Sequence, residues 1–446
     1  MHQIITAKLK LITTPEQFVQ LRQIQLAYRD ALNAVSRYAF EQGKTSNVTR
    51  LHKGMYAELR VRYHLPSQLA CSVERQVSAT YKGLWTKLKK NAEHRRKKMT
   101  KKRFRGLDKP PHYTSPTVQY TYERDYTFQC TSRVSVGTLN GRISIPYQGY
   151  DKHVALIRQE ASIGDAKLWY DQPKKQFYLL VPLTIDLAEP TCDHFTEVVG
   201  VDVGIRYLAV TSTSTGTASF HSGKRVRHRA NHYARLRKRL QRKGTRGAKR
   251  RLRQIAQRER RFKLQANHTL AKQIIKQYPQ ALLGLEHLTD IRERTKRKKR
   301  KRKHNGKGTE PVSSKARKAN RVYSQWSFAE FQALISYKAA LAGSLATKVD
   351  ADYTSKACPM CGHTNDANRP HKGLLFVCQQ CGYCWHADLV GARNITMRTL
   401  LVRHDWIRTG CLSLIPDASD KEAKAARLKR YAELRWSPEV NISLRS

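Results

Sequence analysis

The amino-acid sequence predicts a multidomain α+β protein. An N-terminal β-barrel with an inserted helical bundle precedes an α/β domain that carries an inserted four-cysteine zinc ribbon. Three observations lead to this prediction. Segments of alternating apolar and polar residues flank a helical stretch in the first part of the chain, and short apolar strands alternate with helices after residue 197. Two Cys-x2-Cys pairs interrupt the second region. A length of 446 residues suits about two or three domains.

The N-terminal region begins with alternating residues over 4–12, which predict a strand. The stretch TTPEQ follows, with Thr14 at the N-cap position, Pro15 at the first helical position and Gln17 two residues later. This capping box predicts the start of a helix. Residues from about 117 to 187 are again alternating, aromatic and β-branched, as in antiparallel strands. The predicted boundaries are barrel strands at about 1–12 and 105–190, with a helical insertion at about 14–104.

The second region, residues 198–400, follows the order strand, meander, helix, strand, helix, strand, helix. The apolar run VVGVDV is typical of a buried central strand. A basic stretch predicts a helical hairpin that is broken at Gly244 and Gly247, and the next strand is ALLGLEHL. The zinc segment, 354–386, leads into a helix from about Ala387. Residues 401–446 form a tail to which no structure is assigned.

The charge of the chain points to nucleic acid. There are 85 lysines and arginines against 34 aspartates and glutamates, which gives a net charge of +51. Such an excess repels itself unless a polyanion neutralises it, so RNA or DNA is the expected partner. We expect no membrane association, since no lipidation motif, signal peptide or apolar run of about 18 residues is found. The scattered cysteines outside the two pairs suit a reducing compartment.

An eight-residue basic run, KRKKRKRK, begins at Lys296. It could bind RNA, or it could act as a nuclear localisation signal in a eukaryotic source. Nucleic-acid contact is the preferred interpretation, and the candidate residues are Lys296, Arg297, Lys298, Lys299 and Arg300.

Four cysteines predict a structural zinc site, because the two pairs are separated by a spacing typical of zinc ribbons. A glycine follows the second cysteine of each pair and allows a tight knuckle. Cys384 could compete with Cys378, but only the latter belongs to a pair that ends in Cys-Gly. Four thiolates leave no open metal position, so His363 and His386 are not needed. The predicted ligands are Cys358, Cys361, Cys378 and Cys381.

Three acids are candidates for a hard-cation site. Asp202 lies inside an apolar strand, Glu286 ends a second one, and Asp388 begins the helix after the ribbon. Each has a structural alternative: a turn residue, a surface residue and a helix N-cap. Their order along the chain matches the ribonuclease-H-like arrangement, in which three acids converge at the ends of central strands. Carboxylates suit Mg²⁺, and two such ions could support phosphodiester hydrolysis.

The segments GVDVGIRYLAV, LLGLEHL and YTSKACPMCG…CQQCGYCWHADLVGARNI together resemble the TnpB family, whose members are RuvC-type proteins of insertion sequences related to miniature type V CRISPR effectors. The resemblance covers residues 198 to 400 and, less specifically, the N-terminal TPEQ…AYRDALN stretch. Two departures are Val390, where the family often has asparagine, and the additional Cys384.

This resemblance implies an RNA-guided DNA endonuclease encoded by a transposable element. It implies that the three acids are RuvC catalytic residues with two Mg²⁺ ions, and that the four cysteines bind one structural Zn²⁺. Residues 1–197 would form the wedge-like barrel and recognition insertion that hold guide RNA and read a short motif beside double-stranded target DNA. One protein chain per guide RNA is expected, in the cytoplasm of a prokaryote near the nucleoid, or in the nucleus of a eukaryote.

Other interpretations stay open. The chain could be a miniature type V CRISPR effector, an RNA-guided DNA-binding repressor that does not cleave, or a transposase that acts directly on DNA ends. Arg393 in GARNI could reach a phosphate near the metals, or it could be a structural arginine.

Overall fold

The computed structural model divides the chain into two compact units, Met1–Asp186 and Leu187–Ser446. The residues that the structure describes are 2–96, 100–115, 117–129, 132–159, 161–288, 300–302, 309–314, 326–370, 374–417 and 420–437. None of the helices in these ranges is long and apolar enough to cross a lipid bilayer.

The first unit is built on an eight-stranded antiparallel sheet with the order β2-β7-β8-β1-β5-β4-β3, and β6 pairs with β8 beside it. The strands at the two ends of this order, β2 and β3, are consecutive in the chain, and an isolated bridge pairs Tyr122, two residues after β2, with Tyr126 of β3, so the sheet is nearly a barrel. The strands are β1 (His2–Leu11), β2 (Thr117–Tyr120), β3 (Tyr126–Gln129), β4 (Arg133–Thr138), β5 (Gly141–Gln148), β6 (Ser162–Ile163), β7 (Ala166–Asp171) and β8 (Gln176–Asp186).

Three long helices are inserted between β1 and β2, as predicted, and a short fourth follows β5. They are α1 (Pro15–Glu41), α2 (Val48–Val61), α3 (Ser67–Arg96) and α4 (Asp151–Arg158). The capping box is confirmed, because the Gln17 amide donates to Thr14 Oγ1 and the Thr14 amide donates to Gln17 Oε1, both at 3.2 Å. Buried Leu21, Ile24 and Tyr28 then recur at helical spacing and anchor α1 in the core of this unit.

The second unit contains a five-stranded sheet with the order β11-β10-β9-β12-β15. Strands β9, β12 and β15 are parallel, and β10 and β11 continue the sheet antiparallel. The strands of this unit are β9 (Glu197–Asp202), β10 (Tyr207–Thr213), β11 (Ala218–Ser222), β12 (Ala281–His287), β13 (Arg300–Arg302), β14 (Thr309–Pro311), β15 (Leu345–Asp350), β16 (Leu375–Val377) and β17 (Cys384–His386). Outside the sheet, β13 pairs with β14 and β16 pairs with β17.

The helices of the second unit are α5 (Lys224–Lys243), α6 (Arg246–Gln277), α7 (Phe328–Leu341), α8 (Ala387–Thr409) and α9 (Lys421–Glu433). The basic helical hairpin is confirmed, but only one of the two predicted breaks is present. Gly244 ends α5 with φ +65°, whereas Gly247 lies inside α6. The helix restarts early because Thr245 caps it, with its Oγ1 accepting from the Ala248 amide.

Different helices cover the two faces of this sheet. Alternate residues of β9 and β12, such as Val199, Val201 and Leu283, pack in one apolar cluster with residues of α6 and α7. Helix α8 packs on the opposite face, against β9, β10 and β12. The next residue on each strand therefore faces α8, and this alternation decides where the acids point.

The C-terminal segment forms a helix, although the sequence pattern assigned it no structure. Helix α8 extends to Thr409, and α9 follows at Lys421. Arg427 of α9 donates its Nε to Asp350 Oδ2 at 2.8 Å, and Arg430 makes two hydrogen bonds with Asp405 of α8. These pairs hold α9 against the end of β15 and against α8.

Candidate functional site

Asp202 and Glu286 lie side by side at the carboxyl ends of two parallel strands. Strands β9 and β12 pair in a register that sets Leu285 opposite Val201, so the two acids are at the same level one residue later. Both are partly buried and face α8, because their neighbours Val201 and Leu285 point into the apolar cluster on the other face.

Two glycines allow α8 to lie directly on these strands. Gly200 and Gly284 are register partners. A Cβ atom on Gly200 would be 2.4 Å from the backbone of α8, and one on Gly284 would be 1.8 Å from the Thr399 hydroxyl. Helix α8 also contributes Gly391, where a Cβ would be only 3.1 Å from Asp202 Oδ2. Small residues at this contact bring the N-terminal turn of α8 to the ends of the strands.

Asp388 belongs to that first turn of α8. The helix is capped by His386, whose Nδ1 accepts from the Asp388 amide at 3.2 Å. The His386 ring packs edge-on against Tyr207 and Phe220, with centroids 5.4 and 5.0 Å away. These contacts fix the start of α8, and with it the position of the Asp388 carboxylate.

The three acids share an electrostatic environment. Burial, and then the charges of Glu286 and Asp388, raise the pKa of Asp202 well above its ordinary value. Burial also raises the pKa of Glu286, against the effect of a hydrogen bond from Thr354 Oγ1 to Glu286 Oε1 at 2.5 Å and of the Arg398 charge. The site therefore holds more negative charge than its surroundings neutralise, and a cation would stabilise its ionised form.

The three carboxylates do not form one tight ligand cluster. Among the described residues, the groups of three or more His, Cys, Asp and Glu ligand atoms that lie within 4.8 Å of one another are the four ribbon cysteines and a set in the first unit. In this structure the three acids are therefore not drawn together as the ligands of a single ion would be.

Arg398 is a buried cation beside the acids and was not among the residues predicted from the sequence. Its guanidinium donates to the carbonyl oxygens of Asp350 and, at 2.8 Å, Asp352, and it lies 4.4 Å from the centre of the Tyr431 ring. The sequence does show that Gly391, Ile395 and Arg398 share one face of α8, since they follow one another at helical spacing. It does not show that this face lies beside Glu286, because that contact joins distant parts of the chain.

Arg393 lies on the ribbon side of α8. Its guanidinium is between the indole rings of Trp385 and Trp436, at 5.4 and 5.1 Å from their centres, and it donates to the Tyr383 hydroxyl. In this structure Arg393 joins α8 to the zinc segment and to the chain beyond α9.

The four predicted zinc cysteines lie together. Cys358 and Cys381 have their Sγ atoms 3.7 Å apart, and those of Cys361 and Cys378 are 3.5 Å apart. A tetrahedral zinc ion with Zn–S bonds of about 2.3 Å requires sulfur atoms about 3.8 Å apart. The cluster therefore has nearly the dimensions that zinc needs. Cys384 is exposed in β17 and lies outside the cluster.

The two halves of the cluster have matching backbone turns. Gly362 and Gly382 have φ of +78° and +70°, and each donates its amide to the carbonyl of the first cysteine of its pair. Burial raises the pKa of Cys358 to about 12. For Cys378, burial is outweighed by the backbone amides of Cys381 and Gln380, and the pKa falls to about 7. Amides that face the sulfur atoms favour thiolates, as a metal site requires.

Most of the basic run lies outside the described residues. Lys296, Arg297, Lys298 and Lys299 lie outside the described residues, and of Arg300 only the backbone, in β13, is described.

Comparison with known proteins finds two matching family models. Residues 189–290 match the family model described as a probable transposase, OrfB_IS605, and residues 328–395 match the Cas12f1-like TNB domain. The first range contains Asp202 and Glu286, and the second contains Asp388 and the four cysteines. A TnpB-like protein of Methanocaldococcus jannaschii is 33% identical over 86 residues, which are 19% of this chain and 30% of that protein. Over these segments the chain is similar to proteins of the TnpB family.

Two further comparisons show CRISPR-associated proteins. The endodeoxyribonuclease Cas12f1 of Sulfoacidibacillus thermotolerans is 38% identical over 78 residues, 18% of each chain. The solved structure of the mini-RNA-guided endonuclease CRISPR-Cas_phi3 covers 90% of this chain and 92% of its own, with 11% identity and a TM-score of 0.48. The matched segments span less than a third of the length of either curated relative described above.

Proposed function

We propose that this TnpB-family chain is an RNA-guided, Mg²⁺-dependent DNA endonuclease of the RuvC type, with Asp202, Glu286 and Asp388 as its catalytic acids. One observation carries the proposal. Two acids at the same level of adjacent parallel strands face the N-terminal turn of α8, which supplies the third. Their shared burial and mutual repulsion favour cations at this point.

The residues present suit magnesium. Carboxylate oxygens are the hard ligands that Mg²⁺ prefers, and three acids leave room for water and for the phosphate oxygens of a substrate. Two bound ions would supply an activated water and neutralise charge on the leaving oxygen. Thr354 orients Glu286 through its hydrogen bond to Oε1, and His386 fixes the turn that carries Asp388. These contacts hold the carboxylates in place before any ion binds.

The proposed structural zinc has a separate role. Cys358, Cys361, Cys378 and Cys381 would hold it with no open position, so it would take no part in the reaction. The ribbon hairpin β16–β17 runs directly into α8, and the Ala387 amide donates to the Leu374 carbonyl. Zinc would therefore stabilise the segment that places Asp388.

The proposed partners are a guide RNA and double-stranded target DNA, with one protein chain for each RNA. The hairpin of α5 and α6 supports binding to nucleic acid, because residues 235–263 include fifteen lysines and arginines and one acid. That acid, Glu259, pairs with Arg237 and Lys263, so it neutralises little of the charge on the remaining surface. If these side chains contact RNA phosphates, the affinity of the protein for RNA should fall steeply as the salt concentration rises.

The test uses the full chain purified with its own RNA. That RNA is sequenced, and a DNA target that matches its variable end is supplied beside randomised flanking bases in Mg²⁺. We expect cleavage by the wild-type protein and by Asp193→Ala, a matched exposed acid, but not by Asp202→Ala. Cleavage that persists in Asp202→Ala, or a bound and uncut wild-type target, would contradict the proposal. An RNA from a transposon end would indicate the insertion-sequence branch, and a repeat-derived guide the CRISPR branch.

A further inference from the structure

We propose a second metal site, of the zinc class, in the helical insertion of the first unit. Its ligands are His52 on α2 and Cys71 and Glu74 on α3. This site is distinct from the ribbon cysteines and from the three acids, all of which belong to the second unit. It does not depend on the proposed nuclease function.

The three ligand atoms already lie together, within 4.8 Å of one another. His52 Nδ1 is 2.8 Å from Glu74 Oε2. Cys71 and Glu74 are three residues apart on α3, which places their side chains on the same face of the helix. One imidazole, one thiolate and one carboxylate are a ligand set that suits zinc, and three protein ligands leave a fourth position for water or an external group.

The buried carboxylate gives the second, independent indication. The Glu74 side chain is 1% exposed, and its Oε1 has no hydrogen-bond partner in the structure. A buried carboxylate oxygen without a partner costs free energy, which a bound cation would offset. Burial likewise raises the pKa of Glu74, and the hydrogen bond and charge of His52 oppose this only in part.

Metal binding would require a small movement. Ligand atoms about 2.0–2.2 Å from a tetrahedral zinc are separated by about 3.4 Å, so His52 and Glu74 would part by about half an ångström. His52 can move, because its side chain is 45% exposed and its ring lies against Tyr56 at the protein surface. The ion would then replace the direct His52–Glu74 contact and join α2 to α3.

The alternative is a metal-free ion pair between His52 and Glu74, with Cys71 nearby. Replacing Cys71 distinguishes a metal site from an ion pair, because the ion pair between His52 and Glu74 does not need the thiol. In the experiment, the full chain with its RNA is saturated with zinc and freed of excess by dialysis. Zinc per chain is then measured by mass spectrometry for wild type, Cys71→Ser and the matched control Cys192→Ser, whose thiol lies in the other unit outside both clusters.

We expect two zinc ions per chain in wild type and in Cys192→Ser, and one in Cys71→Ser. Equal zinc content in wild type and Cys71→Ser would overturn the proposal. A second measurement covers a variant that folds poorly. Cobalt is added to wild type that has received only one equivalent of zinc, which fills the tighter four-thiolate site and leaves the second site open. Cys71-dependent thiolate-to-cobalt absorption should then appear, whereas no new absorption in wild type would exclude a thiolate-containing second site. His52→Gln should lose the same ion, with an unchanged far-ultraviolet circular dichroism spectrum.

Discussion

Replacing Asp202 with asparagine should stabilise the protein in magnesium-free buffer while it abolishes cleavage. Burial of the Asp202 carboxylate, together with the negative charges of Glu286 and Asp388, raises its pKa. An acid whose pKa is raised in the folded state binds its proton more tightly there than in the unfolded chain. Its contribution to stability is therefore present at low pH and is lost as pH rises through the folded pKa. Asparagine has a similar shape and carries no charge.

The size of the effect follows from this linkage. Each unit of raised pKa corresponds to about 1.4 kcal/mol at a pH above the folded pKa. For a unit of this size, about 1 kcal/mol shifts the melting temperature by roughly 2–4 °C. We expect Asp202→Asn to melt at least about 2–4 °C above wild type at pH 8, and the difference to shrink toward zero near pH 4, about the ordinary pKa of aspartate.

The assay is differential scanning fluorimetry across this pH range in zinc-containing, magnesium-free buffer. Glu197→Gln is the matched control, because it changes an acid at the opposite end of the same strand, where Oε1 accepts a hydrogen bond from Thr215 that glutamine can keep. Added Mg²⁺ should raise the melting temperature of wild type more than that of Asp202→Asn. If Asp202→Asn melted at or below wild type at pH 8, the acids would not be repelling one another and the electrostatic reasoning would fail.

Three further predictions concern the support of the site. Gly200→Ala places a methyl group 2.4 Å from the backbone of α8 and should destabilise the second unit by about 1–3 kcal/mol in urea, whereas Gly247→Ala, in open helical space, should change stability by about 1 kcal/mol or less in the favourable direction. Cys361→Ser should lose the ribbon zinc and target cleavage together, and full zinc content with full cleavage would contradict the structural role. Arg398→Met keeps length but removes the guanidinium that donates to the Asp350 and Asp352 carbonyl oxygens near Glu286. Loosening of this segment should outweigh the loss of a nearby positive charge, so cleavage should need about 10-fold or more Mg²⁺ with RNA binding unchanged, and an unaltered Mg²⁺ dependence would count against this positioning role.

The features that local sequence determines were predicted best. The strand that carries Asp202 is an apolar run, the α1 cap is a four-residue motif, and the zinc knuckles repeat Cys-x2-Cys-Gly. Each pattern depends on neighbours within a few residues, so one sequence is enough to identify it. The proximity of the four cysteines was predicted from the spacing of the two pairs, which is typical of zinc ribbons.

The features that depend on distant contacts could not be predicted. Helix α9 has few large apolar residues and is held by ion pairs such as Arg427 with Asp350, which are 77 residues apart. Arg393 is placed between Trp385 and Trp436, and the second of these rings lies beyond α9. Charges and aromatic rings on a basic chain have many alternative partners, and only the folded structure selects among them.

The acid on α8 is proposed to complete a metal-dependent cleavage site. This role is tested by the rate of target cleavage by Asp388→Ala, with Asp366→Ala on the exposed ribbon surface as control. We expect Asp388→Ala to copurify with the RNA and to bind matched DNA like wild type, but to lose several kcal/mol of transition-state stabilisation, roughly a thousand-fold or more in rate. Cleavage by Asp388→Ala at the wild-type rate would show that this acid is not part of the cleavage site.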